Sequence, residues 1–130
     1  MLTNTLNAEM FDLALTVYDE TGGWPVEDFY LFKIPKKLGV HPLVPTQPYE
    51  DDGQTGAFYY TLSDQGDVLE EVYILETSAT DNQVDVTFFK NNEAAGYINA
   101  TFIIDPDRGK RNPLSPDTVR ITDGEFYLKF

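Results

Sequence analysis

Apolar and polar residues along this chain alternate with a period of two, which predicts short strands that each bury one face. Phe11, Leu13, Leu15 and Val17 alternate with Asp12, Ala14, Thr16 and Tyr18. A second apolar run covers Phe29 to Ile34 and stops at Pro35. Ala57 to Leu62 is aromatic and strand-like, and Ser63-Asp64-Gln65-Gly66 is a turn signal. Val68 to Thr77 sorts Val68, Glu70, Val72, Ile74 and Glu76 onto one side, with Leu69, Glu71, Tyr73, Leu75 and Thr77 on the other. Asp81-Asn82 turns the chain into Val84 to Phe89, where Val84, Val86 and Phe88 share a face. Asn91-Asn92 turns it again into Gly96 to Ile104. After a long loop, 105–117, Val119 to Thr122 and Glu125 to Phe130 flank Asp123-Gly124, a dipeptide that favours a two-residue hairpin.

These runs amount to about seven to nine strands, the pattern of an all-β domain. The predicted fold is a single antiparallel β-sandwich or a partly closed barrel over residues 1–130. Residues 1–10 are read as an irregular lead-in or as part of a short helix capped by Asn7 and reaching Leu15. The stretch from Lys36 to Gln54 holds Pro42, Pro45 and Pro48 with the acidic patch Glu50-Asp51-Asp52, a combination that excludes a helix.

Charge adds exclusions. Nine Lys and Arg against 22 Asp and Glu give −13, a field that repels phosphate backbones and anionic lipid and leaves no case for nucleic-acid binding. With no Cys there are no disulfides, thiolate metal sites or Cys nucleophiles. No run reaches the roughly 18 apolar residues of a membrane span.

Candidate chemistry is sparse. His41 is the single histidine, and no nucleophile elbow, zinc-helix motif or P-loop is present. No catalytic residue and no cofactor are therefore predicted, and the chain is read as a non-enzyme. Glu50, Asp51 and Asp52 are the candidate calcium ligands, because hard cations gather several oxygens from one loop; they do not follow the full EF-hand spacing. Trp24, Tyr59 and Tyr60 are candidate ligand-binding residues, since exposed aromatic rings stack on sugars or anchor protein partners. Trp24 has a structural alternative as a plug at the end of the core, and Tyr59 is open to being either buried or exposed.

Gly96-Tyr97-Ile98-Asn99-Ala100-Thr101-Phe102, then Val119-Arg120-Ile121-Thr122-Asp123-Gly124-Glu125-Phe126, resembles a pattern in uncharacterised secreted lipoprotein domains of Bacteroidota. Upstream, Gly39-Val40-His41-Pro42-Leu43 and Gly56-Ala57-Phe58-Tyr59 are similar to the same family, with His41 where Tyr is usual and Ala100 where Gly is usual. The resemblance covers residues 29–130. It implies an all-β domain exported behind a lipid-anchor signal upstream of this sequence, periplasmic or held at the outer membrane, with no established activity. Without that resemblance the chain reads equally as cytoplasmic.

The leading expectation is thus a non-enzymatic extracytoplasmic domain that binds a glycan or protein partner or serves a cell-surface assembly. The alternative is a carrier of small hydrophobic ligands in a barrel lumen. A third reading docks the acidic surface on a basic protein.

Overall fold

The structure is a computed structural model that describes residues 9–130. The described chain is all β apart from one 3₁₀ turn at Asp64–Gly66. Eight strands run β1 (Met10–Tyr18), β2 (Pro25–Pro35), β3 (Gly39–Pro42), β4 (Gly56–Ser63), β5 (Val68–Leu75), β6 (Gln83–Lys90), β7 (Glu93–Ile104) and β8 (Thr118–Lys129). The helix alternative gives way to β1 from Met10 onward, because the period of two in Phe11, Leu13 and Leu15 outweighs the cap at Asn7. Asn7 and the rest of residues 1–8 lie outside the described residues.

All described pairings are antiparallel, in the order β1-β2-β4-β5-β7-β6-β3, with β8 on the other side of β7. The sheet is open and does not close into a barrel. One edge of β7 serves two partners. Its first half pairs with β6 and its last residues, 102–104, pair with Leu75, Ile74 and Tyr73 of β5. Asn82 fills the step between them: its Oδ1 accepts from Thr101 N at 2.8 Å and its Nδ2 donates to Glu76 O at 2.9 Å. A side-chain amide can do this because it carries one acceptor and two donors, much as a peptide unit does.

The sheet halves on either side of this step share one hydrophobic core. β1, β2, β4 and β5 contribute Phe11, Leu13, Phe29, Leu31, Tyr59 and Tyr73, and β6, β7 and β8 contribute Val84, Val86, Ile98, Phe102, Phe126 and Leu128. Phe29 meets Phe102 edge-on at 5.5 Å, and Phe11 meets Phe130 edge-on at 5.2 Å. This is the favoured geometry for rings whose faces are electron-rich.

Two local expectations are corrected. Asp123-Gly124 is no hairpin: β8 runs straight through it, with a register shift opposite Ile98 and Ala100. Asp123 takes φ +50° and its N–H is held by Asn99 Oδ1 at 3.0 Å. The left-handed conformation that Asp-Gly supplies suits a bulge as well as a tight turn. Phe88 likewise leaves the face of Val84 and Val86, because a bulge between Val86 and Phe88 turns it outward.

Candidate functional site

The outward face of β2 and β4 carries a row of rings. Tyr30 lies 5.7 Å from Phe32 and 5.1 Å from Phe58, and Phe58 lies 5.8 Å from Tyr60. Strand alternation explains the row: Tyr30 and Phe32 are two residues apart on β2, Phe58 and Tyr60 two apart on β4, and Tyr30 is the register partner of Phe58. The same alternation turns Phe29 and Tyr59 into the core.

Three adjoining depressions, of roughly 390, 330 and 590 Å³, meet at Phe58. One opens toward Ala14 and Thr16 of β1, one toward Pro45 and Thr46, and one toward Val72 and Ile74 of β5. Together they form a groove with an aromatic and aliphatic floor. Three acids line it, Asp28, Glu50 and Asp105, and no Lys or Arg does. Asp28 accepts from Thr16 at 2.6 Å and from the Tyr60 hydroxyl. Burial, reinforced by that bond to Asp28, pushes the Tyr60 hydroxyl above its ordinary pKa. Tyr30 donates to Asp12 at 2.9 Å, and its pKa is raised by burial first and by Asp12 second. Both tyrosines are therefore protonated at neutral pH and held by fixed acceptors.

Loop 43–55 walls the groove through Pro45, Thr46, Gln47 and Glu50, whereas loop 105–117 reaches it at Asp105 and then passes to the other face of β5. Loop 43–55 is fastened from beneath by Lys33, a nearly buried residue at φ +57° in β2. The left-handed conformation breaks strand alternation there, so Ile34 returns to the core beside Leu31. Lys33 Nζ donates to Gln47 O at 3.0 Å, Glu50 O at 2.8 Å, Asp52 Oδ1 at 2.6 Å and Thr46 Oγ1 at 3.4 Å. Its backbone N–H donates to Asp12 at 3.0 Å. Hydrogen bonds from Lys33 and then Thr46 hold the Asp52 carboxyl well below the usual carboxylate range.

Loop 105–117 is fastened by Glu71, wholly buried on the inward side of β5. Its carboxylate accepts from Arg111 N at 2.7 Å and Asn112 N at 3.2 Å, with the Ser115 hydroxyl as a further donor. Burial pushes the Glu71 pKa up, but these donors outweigh it and the net shift is downward. The Arg108 guanidinium donates to Leu69 O and Glu70 O, each at 2.7 Å, and Asp105 N donates to Val72 O at 2.9 Å. The loop thereby caps the length of β5 that β7 does not pair.

The sequence-predicted residues separate. Tyr60 belongs to the groove. Tyr59 is a core residue, 8% exposed, with its hydroxyl on Glu27. Trp24 is 44% exposed at the β1–β2 turn, outside the three depressions. That turn is closed by Asp19, which accepts from Thr21 Oγ1 at 2.8 Å and Gly23 N at 3.1 Å.

Of the calcium candidates, Asp52 is bound to Lys33 and Thr46, Glu50 gives Lys33 its main-chain carbonyl, and Asp51 is exposed. The lysine ammonium sits among the oxygens that a loop-bound cation would need. Among the described residues no group of three or more His, Asp and Glu is placed to hold a metal. His41 holds Lys37 O at 2.8 Å. Sequence reasoning missed Tyr30 and Phe58, which Phe32 backs from a buried position; the alternation of aromatic residues in β2 and β4 was the signal that could have found them.

No protein-family model matches the chain, and no curated protein or solved structure gives a significant match.

Proposed function

We propose that this protein is a non-enzymatic domain that works outside the cytoplasm and binds carbohydrate along the groove of Tyr30, Phe58 and Tyr60. The single observation behind the reading is the row of rings on one outward sheet face, bordered by acceptors already fixed in place. Sugar rings offer C–H faces for aromatic contact and hydroxyl donors for carboxylates such as Asp28, Glu50 and Asp105. The absence of Lys and Arg from the groove lining favours neutral sugars over uronate, sulfated or phosphorylated ones. The extracytoplasmic setting is supported by the resemblance to secreted lipoprotein domains.

A glycan array of neutral polysaccharides, followed by calorimetry on the best binder, tests the reading. Tyr60→Ala is expected to weaken binding about tenfold or more, a loss of about 1.4 kcal/mol, while Trp24→Ala leaves it unchanged. Absence of binding across the panel, or full affinity in Tyr60→Ala, would sink it.

The three groove carboxylates favour a second reading, a basic protein partner, whose affinity would fall steeply with added salt where sugar affinity would not. A hydrophobic-ligand carrier needs an enclosed lumen, and the rings of Phe29, Tyr59, Tyr73 and Phe102 stand in the interior of the sheet. That reading therefore has no supporting feature.

A further inference from the structure

The depression between β1, β2 and β4, roughly 390 Å³, holds three side-chain hydroxyls, and each is already committed. Thr16 Oγ1 donates to Asp28 Oδ1 at 2.6 Å, the Tyr60 hydroxyl donates to Asp28, and the Tyr30 hydroxyl donates to Asp12 at 2.9 Å. A hydroxyl has one proton to give, so no side chain lining this depression keeps a donor for a ligand. What it offers is acceptors: the remaining lone pairs of Asp28 and of the hydroxyl oxygens.

Register puts Asp28 at the centre. It stands opposite Thr16 of β1 and Tyr60 of β4, with Tyr30 two residues further along β2 on the same face. Asp28 is half-buried. Among the described residues the ion pairs belong to Asp52, Asp81 and Asp117, and no Lys or Arg lines the depression. A carboxylate has about four lone-pair sites, of which Thr16 and Tyr60 take two. A partly desolvated carboxylate without a countercharge, set among aromatic rings, suits a cation with apolar flanks.

We propose that this depression is an ammonium site centred on Asp28, and that the sugar it selects is an amino sugar with a free, protonated amine; the inference rests on the carbohydrate reading of the groove. An ammonium brings three donors and asks for none in return, which is the complement of what the depression presents. The rings of Tyr30, Phe58 and Tyr60 carry the C–H face of the sugar and favour a positive charge beside them. A sugar hydroxyl at the same place brings one donor and no charge. An N-acetylated amine has lost the charge and adds a carbonyl for which no side-chain donor remains. Glu50 and Asp105 in the adjoining depressions, with the net charge of −13, keep the field along the groove negative.

Calorimetry at about pH 5.5, where a sugar amine carries its proton, compares the β-1,4-linked tetramers of glucose, glucosamine and N-acetylglucosamine, which differ only in the group at carbon 2. The glucosamine tetramer is expected to bind about tenfold tighter than the other two. Asp28→Asn keeps the shape and an oxygen acceptor but removes the charge, and should abolish that preference with unchanged circular dichroism. Glu125→Gln makes the same change of charge at an exposed position on β8 and should retain the preference, which separates the site from the general pull of an acidic protein on a cation. A glucosamine tetramer that does not bind, that binds no tighter than the glucose tetramer, or that keeps its advantage in Asp28→Asn overturns the ammonium site. An oligolysine peptide that binds as tightly and with the same dependence on Asp28 also overturns it, since the cation would then belong to a protein. The carbohydrate reading is judged separately, on the array of neutral polysaccharides and on Tyr60→Ala.

Discussion

The two loops that reach the groove are fastened by opposite means. Loop 43–55 turns oxygens inward and is held by a buried cation, Lys33; loop 105–117 turns N–H groups inward and is held by a buried anion, Glu71. In each case the charge supplied by the sheet matches the main-chain polarity presented by the loop. Irregular backbone next to a core must have its polar groups satisfied, and one charged side chain can satisfy several at once. The difference lies in how each charge is balanced. Lys33 has a full countercharge in Asp52, whereas Glu71 rests chiefly on neutral donors, with Arg108 as a more distant positive charge. Glu71 should therefore depend on the whole loop conformation, and Lys33 on one carboxylate and two carbonyls.

The largest expected effect comes from removing the anion. Glu71→Ala strands the N–H groups of Arg111 and Asn112 beside an apolar void and should cost about 3 kcal/mol in urea unfolding. A loss below about 1 kcal/mol would show that the loop finds other acceptors. Lys33→Met keeps the length of the side chain but deletes the ammonium, with an expected loss of about 2 kcal/mol. Asp52→Asn in that background should cost less than it does alone, because only its bonds to Thr46 and Gln54 N remain to be disturbed. A fully additive double mutant would refute the pairing.

Acid sharpens the contrast. Asp52 and Glu71 both have carboxyl pKa values lowered in the fold. Their stabilisation is complete above the ordinary carboxylate value and is lost as pH falls through the lowered one. Thermal melting should fall below about pH 4, and the fall should be shallower in Glu71→Gln, which has no proton to take up there. Equal slopes would remove Glu71 from the account. The smallest effect is Tyr73→Phe, which deletes the 2.7 Å bond to Pro116 O at the far end of loop 105–117; about 1 kcal/mol is expected.

Much of the sheet was legible in the sequence because strand alternation is local. The inward set Tyr73 and Leu75, the turns at Ser63–Gly66 and Asn91-Asn92, and the Pro35 stop all follow from patterns a few residues long. Glu71 was assigned to the side of Tyr73 and Leu75 by the same alternation, yet nothing local said that a carboxylate there would find donors 40 residues away. The groove was half visible: Tyr60 came from its residue type, but the row needs Tyr30 opposite Phe58, and register between strands about 30 residues apart is a tertiary fact. Lys33 was unreadable, since neither its φ of +57° nor the oxygens that loop 43–55 sets around its ammonium are written in the residues beside it.

By itself, then, the sequence determined an all-β chain, the approximate strands and a charge hostile to polyanions, because these depend on residue types and a period of two. The tertiary structure decided whether Asp123-Gly124 would turn or bulge, that Tyr59 would be core and Tyr60 surface, and that Lys33 and Glu71 would be buried. Those outcomes depend on what lies across the sheet or above it, where the free energy of a buried charge or a left-handed residue is set by partners distant in sequence.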